Sequence, residues 1–336
     1  MKGDQYINDS KTMNTSTKTS YATSFEKEVA EGLSAYPKYL SSKYFYDAKG
    51  DKLFQDIMAM PSYYLTNCEY EIFETHKADI AKSFADTGGF DLIELGAGDG
   101  KKTKVLLKEL VAQNRAFTYL PIDISQNVLD GLQTSIQNEI PEVVIKPQQG
   151  MYFEVLEALT KYNSRKKVIM VLGSNIGNLL HPKAIDFLKK IEQAMGPQDI
   201  LFMGFDQKKD PKVILDAYND PEGITAAFNK NILHRINTEL DANFEVDAFT
   251  HWEVYDPESG TAKSYLISNK EQTVDIDKID LTIHLTAWES IHTEISQKYD
   301  DAIVAWLAKE AGLQISNQYT DAKNYYKNYI FTKQPS

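Results

Sequence analysis

The chain has 336 residues, 42% of them hydrophobic, with 36 Lys plus Arg against 48 Asp plus Glu for a net charge of -12. That length can bury a large core in one big domain or two interleaved ones, and the acidic balance removes the positive field that draws proteins to nucleic acid or anionic lipid, leaving a small molecule as the expected partner. The single cysteine, Cys68, rules out an internal disulfide, no run approaches the roughly 18 apolar residues of a membrane span, and a polar start without a signal-peptide core points to a cytoplasmic protein.

Residues 1–20 are rich in Ser, Thr, Asn and Lys and are expected to form a disordered tail. From 21 to about 82 the pattern is mostly helical, with a tyrosine-rich loop, YFYDAKG and then PSYYLTN. From Phe90 to Asp206, apolar runs (FDLIELG, FTYLPID, VVIKPQQ, KVIMVLG, ILFMGFD) alternate with helical segments. Strands apolar at nearly every position are covered on both faces, which predicts a parallel, doubly wound α/β sheet with helical crossovers. Residues 211–235 read as two helices broken at DPEG, and FEVDAFTHWEVYDPESGTAKSYLIS reads as a hairpin turning at DPESG. LTIHLTAWESIHTEIS continues the β-rich region, a last helix is expected from about Gln297 to Ala311, and NYYKNYIFTK is the closing strand. An α+β region is therefore inserted into the sheet domain.

The first strand runs into Gly96, Gly98 and Gly100, in IELGAGDGKKT. A P-loop or a dinucleotide fingerprint needs a glycine five residues after Gly96, and Lys101 stands there. Glycines at three alternate positions instead let the backbone pass close beneath a ligand, and S-adenosylmethionine suits such a turn. Asp123, at the end of the second strand, can accept both ribose hydroxyls, a role also expected in NAD enzymes. Glu94 has two readings, a contact to the methionine amino group or a pair with a nearby lysine. After the fourth strand, Gly173 and Gly177 leave room around Asn178 in the ligand crevice, where it reads as a loop cap or as a substrate contact. No metal is implied, because none of the six histidines stands at ligand spacing.

The segments KYFYDAKGDKLFQDIMAMPSYYLTNCE, IELGAGDGKKT, YLPIDIS, LGSNIGNL, DAYNDPEGITAAFNKNIL and HTEIS, in this order and spacing, resemble the histidine-specific Nα-methyltransferases that make trimethylhistidine, the betaine precursor of ergothioneine. The resemblance runs from about Tyr44 to the C-terminus. It implies a Rossmann-like methyltransferase fold, with a cofactor domain over 70–206 and 297–336 and a substrate-binding domain over 21–69 and 207–296. It also implies S-adenosylmethionine-dependent Nα-methylation of L-histidine to the trimethylated betaine.

Gly96, Gly98 and Gly173 would border the cofactor, with Lys102 toward its methionine carboxylate and Asp123 on its ribose. Tyr63, Asn178 and Tyr218 would surround the amino-acid head group. Glu294 and Ser296 would bind the imidazole ring, and Tyr46 would lie near the reacting nitrogen. The plainer alternatives are core tyrosines for Tyr46, Tyr63 and Tyr218, a solvated face for Glu294 and a helix N-cap for Ser296. Two departures stand out. Met151 and Tyr152 replace the family's Asp-Phe at the adenine ring, and Ser264 replaces a methionine flanking the imidazole, making that pocket roomier or more polar. Rival readings are N-methylation of another aromatic amino acid, such as a tryptophan derivative, and a non-catalytic cofactor-binding module. The oligomeric state is not legible, with a monomer as the default.

Overall fold

A computed structural model describes residues 20–160 and 165–335. The polar tail expected over 1–20 lies outside the described residues except for Ser20. The chain begins with α1 (Ser24–Ser34), a short strand β1 (Lys38–Tyr39), α2 (Ala48–Ala59) and α3 (Tyr64–Phe84). The alternating region follows as β2 (Phe90–Leu95), α4 (Lys101–Ala112), β3 (Phe117–Asp123), α5 (Gln126–Glu139), β4 (Gln148–Gln149), α6 (Tyr152–Thr160), β5 (Lys166–Val171), α7 (His181–Ala194) and β6 (Ile200–Asp206). Then come α8 (Pro211–Tyr218), α9 (Ile224–Glu239), β7 (Phe249–Asp256), β8 (Thr261–Ser268), β9 (Gln272–Ile276), β10 (Leu281–Leu285) and β11 (Ser290–Gln297). The chain closes with α10 (Asp301–Glu310), β12 (Leu313–Thr320) and β13 (Tyr326–Lys333). No helix among the described residues is long and apolar enough to cross a membrane.

The chain divides into two compact units. The larger comprises Phe54–Thr225, Glu253–Ser264 and the residues from Glu294 onward. It is built on a seven-stranded sheet of order β12-β13-β6-β5-β2-β3-β4. β2, β3, β4, β5 and β6 are parallel, as their apolar runs predict, while β13 lies antiparallel to β6 and β12 antiparallel to β13. One face is filled by Ile93, Ile169, Val171 and Leu201 against Leu188 and Ile191 of α7 and Leu307 of α10. The other is closed by α3, whose Phe73 and Phe84 meet Phe202 edge-on at 5.8 and 5.4 Å. Strand order reverses between β2 and β5, so a crevice opens at the carboxyl ends of these two strands.

Three boundaries differ from the sequence reading. VVIKPQQ yields only Gln148–Gln149 as strand, because Pro147 has no N–H to offer; Ile145 makes an isolated bridge to Tyr119. The last helix begins at Asp301, not Gln297, because the chain stays extended through β11 and Asp300 then caps the helix by accepting the Ile303 amide at 2.9 Å. β12 was not foreseen. It is an edge strand with mostly polar, exposed positions and a register shift between Ile315 and Asn317, so its period-2 signal is faint.

The smaller unit comprises the described residues up to Leu53, Ala226–Trp252 and Tyr265–Thr293. Phe25, Val29 and Leu33 of α1, Phe228, Ile232 and Ile236 of α9, and Val274 and Ile283 of the β9–β10 hairpin are all buried there. Asn231 of α9 donates to the Phe45 carbonyl at 3.2 Å and to Asp47 Oδ1 at 2.9 Å, fixing the tyrosine-rich loop. β7, β8 and β11 belong to a four-stranded sheet of order β1-β11-β8-β7.

Candidate active site

The glycine turn leaves β2 with Gly96, Gly98 and Gly100 at φ of +76, +53 and +65°, left-handed values that side-chain-bearing residues rarely adopt. A Cβ on Gly98 would meet nothing within 4 Å, so open space lies beside this glycine. A Cβ on Gly100 would strike Leu132 at 2.3 Å, which makes that glycine a packing requirement. Over Gly96 the expectation of a backbone free of side chains is corrected: the Tyr152 hydroxyl stands 2.5 Å from where its Cβ would be. A ligand laid over Gly96 therefore meets Tyr152 first.

The other predicted cofactor residues border the same turn. Asp123 ends β3, and one of its carboxylate oxygens accepts the Ser125 amide at 3.0 Å. Lys102, in the first turn of α4, pairs with Glu69 of α3, a fully buried carboxylate that also accepts the Gly173 amide at 2.8 Å, Asn328 Nδ2 at 2.9 Å and the Tyr326 hydroxyl at 3.2 Å. Gly173 has φ +75°, and a Cβ there would find only Lys102 Nζ and Asn175 Oδ1, both at 3.9 Å. Among the described residues no lysine forms an ion pair with Glu94. Its oxygens accept the Thr103 hydroxyl at 2.8 and 2.9 Å and the Tyr119 hydroxyl at 2.5 Å, and burial pushes its carboxyl up to about 7. Sequence pattern could not separate that internal network from a ligand contact.

Four of the predicted substrate residues come together in the larger unit. Tyr218 ends α8 and Ser296 lies on β11, their hydroxyls 2.8 Å apart. The Tyr63 and Tyr218 rings meet edge-on at 6.1 Å. Glu294 precedes Ser296 by two residues and so shares its strand face. Asn178 is exposed on the short turn after β5. A Cβ on the adjacent Gly177 would lie 3.2 Å from the Gln297 carbonyl, so this glycine makes room for the end of β11 rather than for a ligand. The Tyr299 hydroxyl donates to the Ile176 carbonyl at 3.1 Å and holds the turn there. Tyr46 belongs to the smaller unit, where it is 42% exposed and lies edge-on to Phe228 at 5.5 Å.

Behind this cluster sits a buried charge network. Lys298 donates to Tyr218 Oη at 2.9 Å and Ser296 Oγ at 2.5 Å, and pairs with Asp206 at 2.8 Å. Asp206 ends β6, also pairs with Lys209 and accepts the Tyr64 hydroxyl at 2.8 Å. Burial would raise its carboxyl, but Lys298 and Lys209 together hold it below the ordinary range. Glu294 is partly buried, and among the described residues no hydrogen bond or ion pair engages its carboxylate. Burial pushes it up to about 7 against the pull of Lys298. Ser264, on β8, donates to Glu253 of β7 at 2.6 Å. Burial lifts the Glu253 carboxyl to about 8, with Glu294 adding to the rise.

Lys298, Asp206 and Glu253 were missed in the sequence. Strand alternation from Glu294 through Ser296 points at Lys298, and counting outward from the DPESG turn sets Glu253 opposite Ser264; either count would have found them. Asp206 gave no signal beyond its place at a strand end.

Taken with the strand order, the clear space beside Gly98, the carboxylate ending β3 and the lysine opening α4 fit S-adenosylmethionine, and the sheet is that of the S-adenosylmethionine-dependent methyltransferases. A family model described as "Histidine-specific methyltransferase, SAM-dependent" matches residues 25–333. The histidine N-alpha-methyltransferase of Mycobacterium tuberculosis is 36% identical over 296 residues, which span 88% of this chain and 90% of that protein. Its counterpart from Mycolicibacterium smegmatis is 35% identical over 303 residues, 90% of this chain and 92% of that protein. Ergothioneine biosynthesis protein 1 of Schizosaccharomyces pombe is 28% identical over 302 residues, 88% of this chain but 39% of that longer protein. The chain belongs to the family of histidine-specific, S-adenosylmethionine-dependent methyltransferases, and is a methyltransferase of that kind.

Proposed function

We propose that the protein transfers methyl groups to the α-amine of L-histidine and continues to the trimethylated betaine. The observation that carries this reading is Glu294, a partly buried carboxylate with no partner among the described residues, on one strand face with the Ser296 hydroxyl. An acceptor beside a hydroxyl suits an N–H edge of an imidazole. The two relatives named for histidine N-alpha-methylation support the same substrate.

When bound, S-adenosylmethionine supplies an activated sulfonium methyl group, so the protein's work is alignment, which can account for roughly 7 to 11 kcal/mol of a barrier. Asp123 would accept the ribose hydroxyls, Lys102 would face the methionine carboxylate, and Gly96, Gly98 and Gly173 keep the backbone out of the way, with Tyr152 at the adenine position. Tyr63, Asn178 and Tyr218 would hold the amino-acid head group. The α-amine must lose a proton to expose its lone pair, and a desolvating, tyrosine-lined environment favours the neutral form. Tyrosine faces also stabilise the permanent positive charge of the final product, by about 0.5 to 2 kcal/mol each.

Mass spectrometry of histidine incubated with enzyme and cofactor tests the reading. Products heavier by one, two and three methyl groups are expected, with the third accumulating. Unmodified histidine beside methylated tryptophan would overturn it.

A further inference from the structure

Glu253 is 6% exposed, and among the described residues it forms no ion pair with a lysine or arginine; the Ser264 hydroxyl is the hydrogen-bond donor identified for it. A buried carboxyl without a cation is a burden on the fold, and an apolar pair at 253 and 264 would pack better. Glu253, Ser264 and Glu294 come from three neighbouring strands, β7, β8 and β11, with Ser264 on the middle one. The Glu294 carboxylate adds to the rise of the Glu253 carboxyl, and Lys298 pulls on both. That ammonium is already committed to Asp206, Tyr218 and Ser296, so the region offers two acidic groups and little positive charge to answer them.

We propose that Glu253 is a second acidic specificity determinant of the substrate side-chain pocket, acting with Glu294 to select a ring that carries an N–H on both edges. The ligand class is an imidazole in its protonated form, which can donate to one carboxylate from each nitrogen. An indole has a single N–H and no charge, and leaves one acidic group without a donor, which is the more heavily penalised mismatch. Ser264 holds Glu253 in orientation. This inference rests on the placement of Glu294 at the substrate ring.

The test measures kcat and KM for histidine, tryptophan and the two ring-N-methylated histidines, using the full-length wild-type enzyme, Glu253→Ala, Glu253→Gln, Ser264→Ala and Glu294→Ala. Cofactor binding and thermal melts confirm that each variant is folded. Glu253→Ala should raise KM for histidine about ten- to a hundred-fold with kcat within about three-fold, and Glu253→Gln about ten-fold. Ser264→Ala should follow in the same direction by a few-fold. Glu253→Ala should also abolish discrimination against one ring-N-methyl isomer only, and Glu294→Ala against the other. Unchanged histidine KM in folded Glu253→Ala or Glu253→Gln, or equal effects on both isomers, overturns the role of Glu253 while leaving histidine methylation standing. Failure of the wild-type enzyme to methylate histidine overturns the underlying reading as well.

Discussion

The Lys298 ammonium lies 2.9 Å from the Tyr218 hydroxyl, with the lysine side chain wholly buried. As a pure donor it fixes Tyr218 as an acceptor at that contact, and it does the same to Ser296. Tyr218 and Ser296 also share a hydrogen bond, so one hydroxyl proton of the pair is spent internally and one is left to point at a ligand. Lys298→Met removes this ordering. KM for the amino acid should rise about ten-fold or more with cofactor affinity preserved, and urea denaturation should show a loss of roughly 3 kcal/mol, because Asp206 keeps only Lys209 as its cation. An unchanged KM would mean that Lys298 serves the fold alone.

Glu294→Ala should weaken histidine binding by about ten- to a hundred-fold while leaving S-adenosylmethionine binding within about two-fold. Calorimetric titration of each ligand separately decides this. Equal loss of both would contradict a role for Glu294 at the substrate ring.

Three buried or partly buried carboxyls, Glu94, Glu253 and Glu294, are pushed up to about 7, 8 and 7 by burial. Glu253 faces Ser264, Glu294 and Lys298; Glu294 faces Lys298; and Glu94 faces Tyr119, Thr103, Lys102 and Glu69. Between the unfolded carboxyl value and these raised values the folded protein holds more protons than the unfolded chain. Their contribution to stability is therefore complete below about pH 4.5 and is lost as pH rises toward 8. Each contributes a slope of up to about 1.4 kcal/mol per pH unit. Urea unfolding of the substrate-free protein from pH 5 to pH 8.5 should show Glu253→Gln with a shallower decline than wild type. Parallel curves would refute the buried-acid description.

Gly98→Ala separates backbone strain from ligand space. The left-handed φ of +53° should cost about 1 to 2 kcal/mol of stability, with no steric clash to add to it. The new methyl group projects into the space beside the turn, so cofactor affinity should fall by more than the amino-acid KM changes. Equilibrium binding of the cofactor measures this directly.

Much of the parallel sheet was legible because β2, β3, β5 and β6 are apolar at consecutive positions, a pattern that strands buried on both faces impose. β12 escaped because an edge strand with polar, exposed residues carries little periodicity, and β4 shrank because of one proline. In the site, Ser296 and Tyr218 were visible as residue types at motif positions, but not the lysine joining them, because Lys298 and its buried partner Asp206 are 92 positions apart. Glu253 reads as an ordinary surface glutamate until the hairpin register turns it toward Ser264. Such meetings belong to the tertiary structure, where burial changes what a charged side chain does.

The Glu69 carboxylate gathers Lys102, the Gly173 amide, Tyr326 and Asn328, and its bond to Asn328 spans 259 positions of sequence. The floor beneath the glycine turn is therefore assembled only once the closing strand has docked against an early helix. A nascent chain halted short of Tyr326 would already contain every residue assigned to the cofactor and yet lack the anchor that steadies Lys102 and Gly173. Acquisition of cofactor binding during synthesis should lag until the final segment is released.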